Sequence, residues 1–83
     1  MRMRITVRLF AILKDRAGTG ELTLDLPEGS TISAAGEALR EKFPALRELD
    51  HRLAYAVNCE HASRETRLRD GDELALIPPV SGG

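Results

Sequence analysis

Seven consecutive residues near the start of the chain alternate strictly in polarity. Met3, Ile5, Val7 and Leu9 share one parity; Arg4, Thr6 and Arg8 share the other. A period of two belongs to an extended strand with one face buried and one in water, so a half-buried strand is predicted here. Glu21 to Leu26 alternates again, with Leu22, Leu24 and Leu26 inward, and Pro27 ends it. Between the two runs, Ala11 to Ala17 can form a short helix or turn stopped by Gly18 and Gly20. Gly18-Thr19-Gly20 therefore connects an antiparallel pair. Phe10 falls on the polar face of the first strand, beside Arg4 and Arg8.

Pro27-Glu28-Gly29-Ser30-Thr31 is turn and cap chemistry, with Ser30 or Thr31 able to accept a bond from the first N–H groups of a helix. Ile32, Gly36, Leu39 and Phe43 follow at helical spacing with Ala35 beside them, giving one apolar face. Pro44 breaks that helix, and Ala45 to Leu49 has room for a further turn. Leu53 to Asn58 reads as a third strand, with Tyr55 and Val57 in phase with Leu53. Asn58-Cys59-Glu60-His61 reads as a turn, and Ser63 to Leu68 is weakly patterned. Asp70-Gly71-Asp72 is a strong turn signal before the last strand, Glu73 to Ile77, in which Leu74 and Leu76 point inward and Ala75 and Ile77 outward. The order strand, strand, helix, strand, strand, with the first and last strands paired at the centre, predicts an α+β ubiquitin-like β-grasp. The expected organisation is a single domain over residues 1–83, with 78–83 as a protruding tail.

Composition excludes some functions. The net charge is −1, which argues against nucleic-acid binding as the main task. No apolar run approaches the roughly 20 residues needed to cross a bilayer. The basic start Met1-Arg2-Met3-Arg4 is not followed by the apolar stretch of a signal peptide, so a cytoplasmic protein without a membrane partner is expected. Cys59 is the single cysteine; it cannot form an internal disulfide, and a lone cysteine is more often a small buried hydrophobe than a nucleophile. The two histidines lie ten positions apart, and Asp70 and Asp72 flank a turn glycine without further ligands at calcium-loop spacing. No bound metal or bound cofactor is expected. The glycines lack phosphate-loop spacing.

What remains is the end of the chain, Pro78-Pro79-Val80-Ser81-Gly82-Gly83. Prolines cannot continue a central strand, and their fixed φ projects the chain away from the body. From Val80 the tail then reaches roughly 13 Å at about 3.3 Å per residue. Two glycines without Cβ atoms can enter a slot too narrow for side chains. Such an end suits a protein whose working group is its own C-terminal carboxylate, offered to another enzyme.

Phe10-Ala11 after the first strand, Pro27-Glu28-Gly29-Ser30, Phe43-Pro44-Ala45-Leu46, Ala56-Val57-Asn58, Asp70-Gly71-Asp72-Glu73 and Ile77-Pro78-Pro79-Val80-Ser81-Gly82-Gly83 together resemble the MoaD family, the small sulfur-carrying subunits of molybdopterin synthase. The resemblance spans nearly the whole chain, and the terminal Pro-Pro-Val-Ser-Gly-Gly is its most specific piece. It implies that a MoeB-like adenylyltransferase uses ATP to adenylate the Gly83 carboxylate, which a sulfur donor enzyme converts to a thiocarboxylate. It implies next that Pro79, Val80, Ser81 and Gly82 insert with Gly83 into a MoaE-like large subunit, within a heterotetramer, to deliver sulfur to cyclic pyranopterin monophosphate. The catalytic pocket then belongs to the large subunit. It implies, too, a docking patch at Phe10, His61 and Ile77 for both partners. His61 is more polar than the usual residue there, and relatives often carry a glycine or a small polar residue where Cys59 stands. Carriers for tRNA thiolation or thiamine synthesis share the fold and the Gly-Gly end, and so do ubiquitin-like modifiers joined to lysines. Modifier and carrier share the adenylate and differ in the nucleophile that attacks it.

Overall fold

In the computed structural model the chain is described for residues 1–47 and 53–78. The first run of alternation becomes β1 (Arg2–Leu9), with Met3, Ile5, Val7 and Leu9 at most 3% exposed. After it come the short helix α1 (Ile12–Ala17) and strand β2 (Glu21–Pro27). The two strands pair antiparallel with Ile5 opposite Leu24 and Met3 opposite Leu26 on the inner face, Arg4 opposite Asp25 on the outer. Leu22 is only partly buried, at the end of this ladder nearest α1.

Helix α2 (Ile32–Lys42) begins at Thr31, whose hydroxyl accepts a hydrogen bond of 3.2 Å from the Ala34 N–H. Two further early N–H groups are paired by the segment before the last strand: Ile32 N–H donates to the Thr66 carbonyl and Ser33 N–H to the Arg64 carbonyl. This explains the weak patterning of Ser63 to Leu68. Its backbone carbonyls, not its side chains, satisfy donors that a helix start leaves open. Ile32, Ala35, Gly36 and Leu39 are buried. Phe43 ends the helix with φ −128°, the extended geometry that a following proline enforces, and packs half-buried against the core. Residues 44–47 form one tight helical turn; the rest of the turn expected to Leu49 lies outside the described residues.

Strands β3 (Ala54–Val57), β4 (Glu60–Ala62) and β5 (Glu73–Ile77) complete a five-stranded sheet in the order β2-β1-β5-β3-β4. β5 lies parallel to β1 and antiparallel to β3. The mixed sheet with one long helix across its inner face is the ubiquitin-like β-grasp, with β1 and β5 central as expected.

The sequence reading needs two corrections, both at the turn after β3. Glu60 and His61 are not turn residues but the start of β4, antiparallel to β3. The turn is complete in Asn58 and Cys59, both at positive φ (51° and 70°). A two-residue loop of that handedness matches the twist of the flanking strands, so pairing resumes at once. Asn58 is further held by its side chain, which donates to Asp72 Oδ1 at 3.0 Å and accepts from the Glu73 N–H at 3.0 Å. Cys59 is exposed at this turn and is not a buried hydrophobe.

Candidate functional site

Parallel pairing of β1 and β5 sets the geometry of the site. Leu9 is in register with Leu76, so the next residues along both strands, Phe10 and Ile77, stand at the same end of the sheet. Adjacent strands lie about 4.8 Å apart, so both residues follow paired positions at one end of the sheet. Phe10 is 42% exposed and Ile77 39%, and they are among the few large hydrophobic residues that the fold leaves in solvent. Neither belongs to the buried core cluster. The chain passes from Ile77 into Pro78, so the tail leaves from the edge of this pair.

The outer face divides into two halves of different character. On β1 and β2 it is charged: the Arg4 guanidinium lies 3.2 Å from Asp25, and Arg8 lies 3.7 Å from Glu73 and 4.0 Å from Glu21. The side chains of these pairs are 39–72% exposed, and such surface pairs contribute about 0–1 kcal/mol each. On β5 and β3 the same face carries Ala75, Ala54 and Ala56, with Ile77 opposite Ala54 and Ala75 opposite Ala56. Small side chains give a flat apolar strip bordered on one side by Arg8. On the other side His61 faces Ala56 from β4 and is exposed.

Phe10 and Ile77 are thus both exposed at the same end of the central strand pair. His61 sits at the far margin, two strands from Ile77, or roughly 10 Å at about 4.8 Å per strand. Pro79, Val80, Ser81, Gly82 and Gly83 lie outside the described residues. Sequence reasoning placed Ala75 outward with Ile77, as the register with β3 bears out, but it did not single out Ala54, Ala56 and Ala75 as one strip, because alanine marks neither face of an alternating pattern. It also missed Ile12, 40% exposed at the start of α1. The signal for Ile12 was its place two residues beyond the out-of-pattern Phe10. Among the described residues no polar or charged side chain is buried, and no three His, Cys, Asp or Glu residues cluster as metal ligands would.

Fold and surface together define a small β-grasp protein that presents one apolar sheet face, with Ile77 at the end where the described chain reaches Pro78. The chain belongs to the ThiS family, whose model matches residues 7–83. The molybdopterin synthase sulfur carrier subunit of Arabidopsis thaliana is 40% identical over 81 residues, covering 98% of this chain and 84% of that protein. The small archaeal modifier protein 1 of Haloferax volcanii is 37% identical over 84 residues, covering 92% and 97% of the two chains. Its crystal structure superposes with a TM-score of 0.87 at 31% identity, over 94% of this chain and 99% of that one. In the complex of subunits 1 and 2 of the molybdopterin-converting factor from Helicobacter pylori, one chain matches at 27% identity with a TM-score of 0.69, covering 98% of this chain and all of that one.

Proposed function

We propose that this protein is the sulfur carrier subunit of a molybdopterin synthase. Its likeness to the Arabidopsis thaliana carrier along nearly the whole chain supports the reading, as does the Gly82-Gly83 end. The structural observation that carries it is the exposed Phe10–Ile77 pair at the root of that end. A carboxylate is a poor electrophile until it has a leaving group. The adenylating partner spends ATP to make the Gly83 acyl adenylate and releases pyrophosphate. Sulfide-level sulfur (HS−) supplied through the donor enzyme then attacks the acyl carbon and displaces AMP, leaving a thiocarboxylate. The apolar strip with Phe10, Ile77 and, at its margin, His61 docks the activating enzyme and the large synthase subunit. Pro79 to Gly83 then enter the partner's site. The Helicobacter pylori complex supports a large-subunit partner of this kind.

The test is the intact mass of the chain after incubation with ATP, the activating enzyme and a sulfur source. Replacement of one oxygen by sulfur adds about 16 Da. Deletion of Gly83 should abolish that gain and leave the melting temperature unchanged, since a chain end outside the core adds little to it. A truncated chain that still gains sulfur would refute the carrier reading.

A second reading rests on the likeness to small archaeal modifier protein 1. A modifier would use the same adenylate with a lysine amine as the attacking group. Accumulation of the chain on other proteins through amide bonds, without thiocarboxylate, would favour it.

A further inference from the structure

Ala11, between the exposed Phe10 and the exposed Ile12, has φ 51° and ψ −127°. That is the geometry of the first central residue of a type II′ turn, a position that glycine dominates. The turn is closed by the Leu13 N–H, which donates to the Phe10 carbonyl at 3.0 Å. Asp15 N–H in turn donates to the Ala11 carbonyl at 3.2 Å, so the strained residue leads directly into α1. An L-residue with a Cβ is disfavoured in this region. The surroundings hold it there: Leu13, two residues on, is fully buried. A turn of the opposite hand would send α1 away from the core.

The same turn decides what the surface offers. Leu9 is buried and Phe10 exposed, as strand alternation requires, and the chain then reverses before Phe10 can be covered by a continuing strand. Phe10 borders an open groove with Lys14 and Gly20, where the Lys14 stem passes close enough that a Cβ on Gly20 would lie 3.3 Å from it. We propose that Ala11 is a positioning residue for partner docking: its left-handed turn fixes Phe10 outside the core at the end of the sheet where Ile77 is also exposed, so that the aromatic ring is presented before any partner arrives. The inference rests on the docking role proposed above. Strain held at a recognition surface fits a pre-organised site, whose binding loses little to ordering. It also distinguishes Ala11 from Asn58 and Cys59, whose positive φ closes a hairpin away from the tail.

The experiment is a double-mutant cycle on the full-length protein, read by titration calorimetry against the large synthase subunit, with melting temperatures measured in parallel. Ala11→Gly accepts the same φ and ψ without strain, so its affinity should stay within about twofold of the parent and its melting temperature should not fall. Ala11→Val adds a β-branched side chain that opposes positive φ and should weaken binding about tenfold. In the Phe10→Ala background the same Ala11→Val change should cost less than about twofold, because the side chain that it positions is gone. An undiminished tenfold loss in that background overturns the inference while leaving the docking role of Phe10 intact. So does an Ala11→Val protein that melts lower yet binds normally, because the turn would then serve only the core. Should Ala11→Val fail to fold, Ala11→Gly still decides. A tenfold weaker Ala11→Gly would mean that the methyl group matters and the handedness of the turn does not. Unchanged binding by Phe10→Ala alone would refute the docking reading itself.

Discussion

Truncation of Phe10 separates a docking surface from a piece of core. The residue is 42% exposed, and an aromatic side chain offers about 200 Å² in all, so about 85 Å² remains for a partner to cover. At about 25 cal/mol per Å² that area is worth about 2 kcal/mol of binding, or roughly thirtyfold in affinity. Loss of fold stability should be smaller. Phe10 is absent from the buried cluster formed by Ile5, Val7, Leu13, Ile32, Leu39 and Leu74 and their neighbours. What covers it is the lining of a surface groove. Removing contacts of that kind costs about 1 kcal/mol, a drop of about 4–8 °C in melting temperature for a chain of this size. Titration calorimetry of Phe10→Ala against the large synthase subunit, and separately against the activating enzyme, should give weakening near thirtyfold in both. Two results would refute the reasoning: affinity within about threefold of the parent in a folded variant, or collapse of the fold, which would make Phe10 a structural residue.

Two further substitutions probe the tail and the β3–β4 turn. Gly82→Val should slow both adenylation and sulfur transfer while barely moving the melting temperature, because a Cβ next to the reacting end must meet the walls of a channel shaped for glycine; parent rates in both steps would mean that no such channel closes around it. Cys59→Gly should raise stability by about 0.5–1 kcal/mol, since Cys59 holds φ 70° at a turn position that favours glycine. The same variant should load sulfur at the parent rate, and loss of loading in a folded Cys59→Gly protein would place the sulfur on the thiol instead.

Where burial enforced a period, the sequence was readable. β1 and the last strand followed from alternation because one face of each meets α2 and must be apolar. The face of α2 was legible for the same reason, and cap chemistry narrowed its start to Ser30 or Thr31, of which Thr31 is the cap. β4 was not legible. Its three residues carry two exposed side chains, so no hydrophobic period marks it, and its existence depends on a two-residue loop whose handedness is set by Asn58 and Cys59. The segment over residues 63–68 was opaque for a different reason: it works through backbone carbonyls, which any residue supplies. In the site, Phe10 was conspicuous because it broke a pattern. Ala75 was readable as outward beside Ile77, but the strip that it forms with Ala54 and Ala56 was not, because small residues leave little trace in an alternation.

The geometry of the sheet also constrains the order of events. Parallel strands end at the same pole, so β1 and β5 deliver Phe10, Ile77 and the start of the tail to one place. The apolar strip crosses β5 and β3 only, a width of roughly 10 Å at about 4.8 Å per strand. An ordinary protein–protein interface needs about 800 Å² from each partner, far more than a strip this narrow can share between two proteins. If both partners dock on this strip, as the proposed function requires, activating enzyme and large subunit bind in turn. Adding the large subunit to a loading reaction should inhibit adenylation competitively with respect to the carrier. At a large-subunit concentration tenfold above its Kd, about nine-tenths of the carrier is occupied and pyrophosphate release should slow about tenfold. Phe10→Ala should shift that inhibition curve to roughly thirtyfold higher concentration, because it weakens the inhibitory complex by that factor. A loading rate indifferent to saturating large subunit would mean that the two partners read separate surfaces, and the strip at Phe10 and Ile77 would then belong to only one of them.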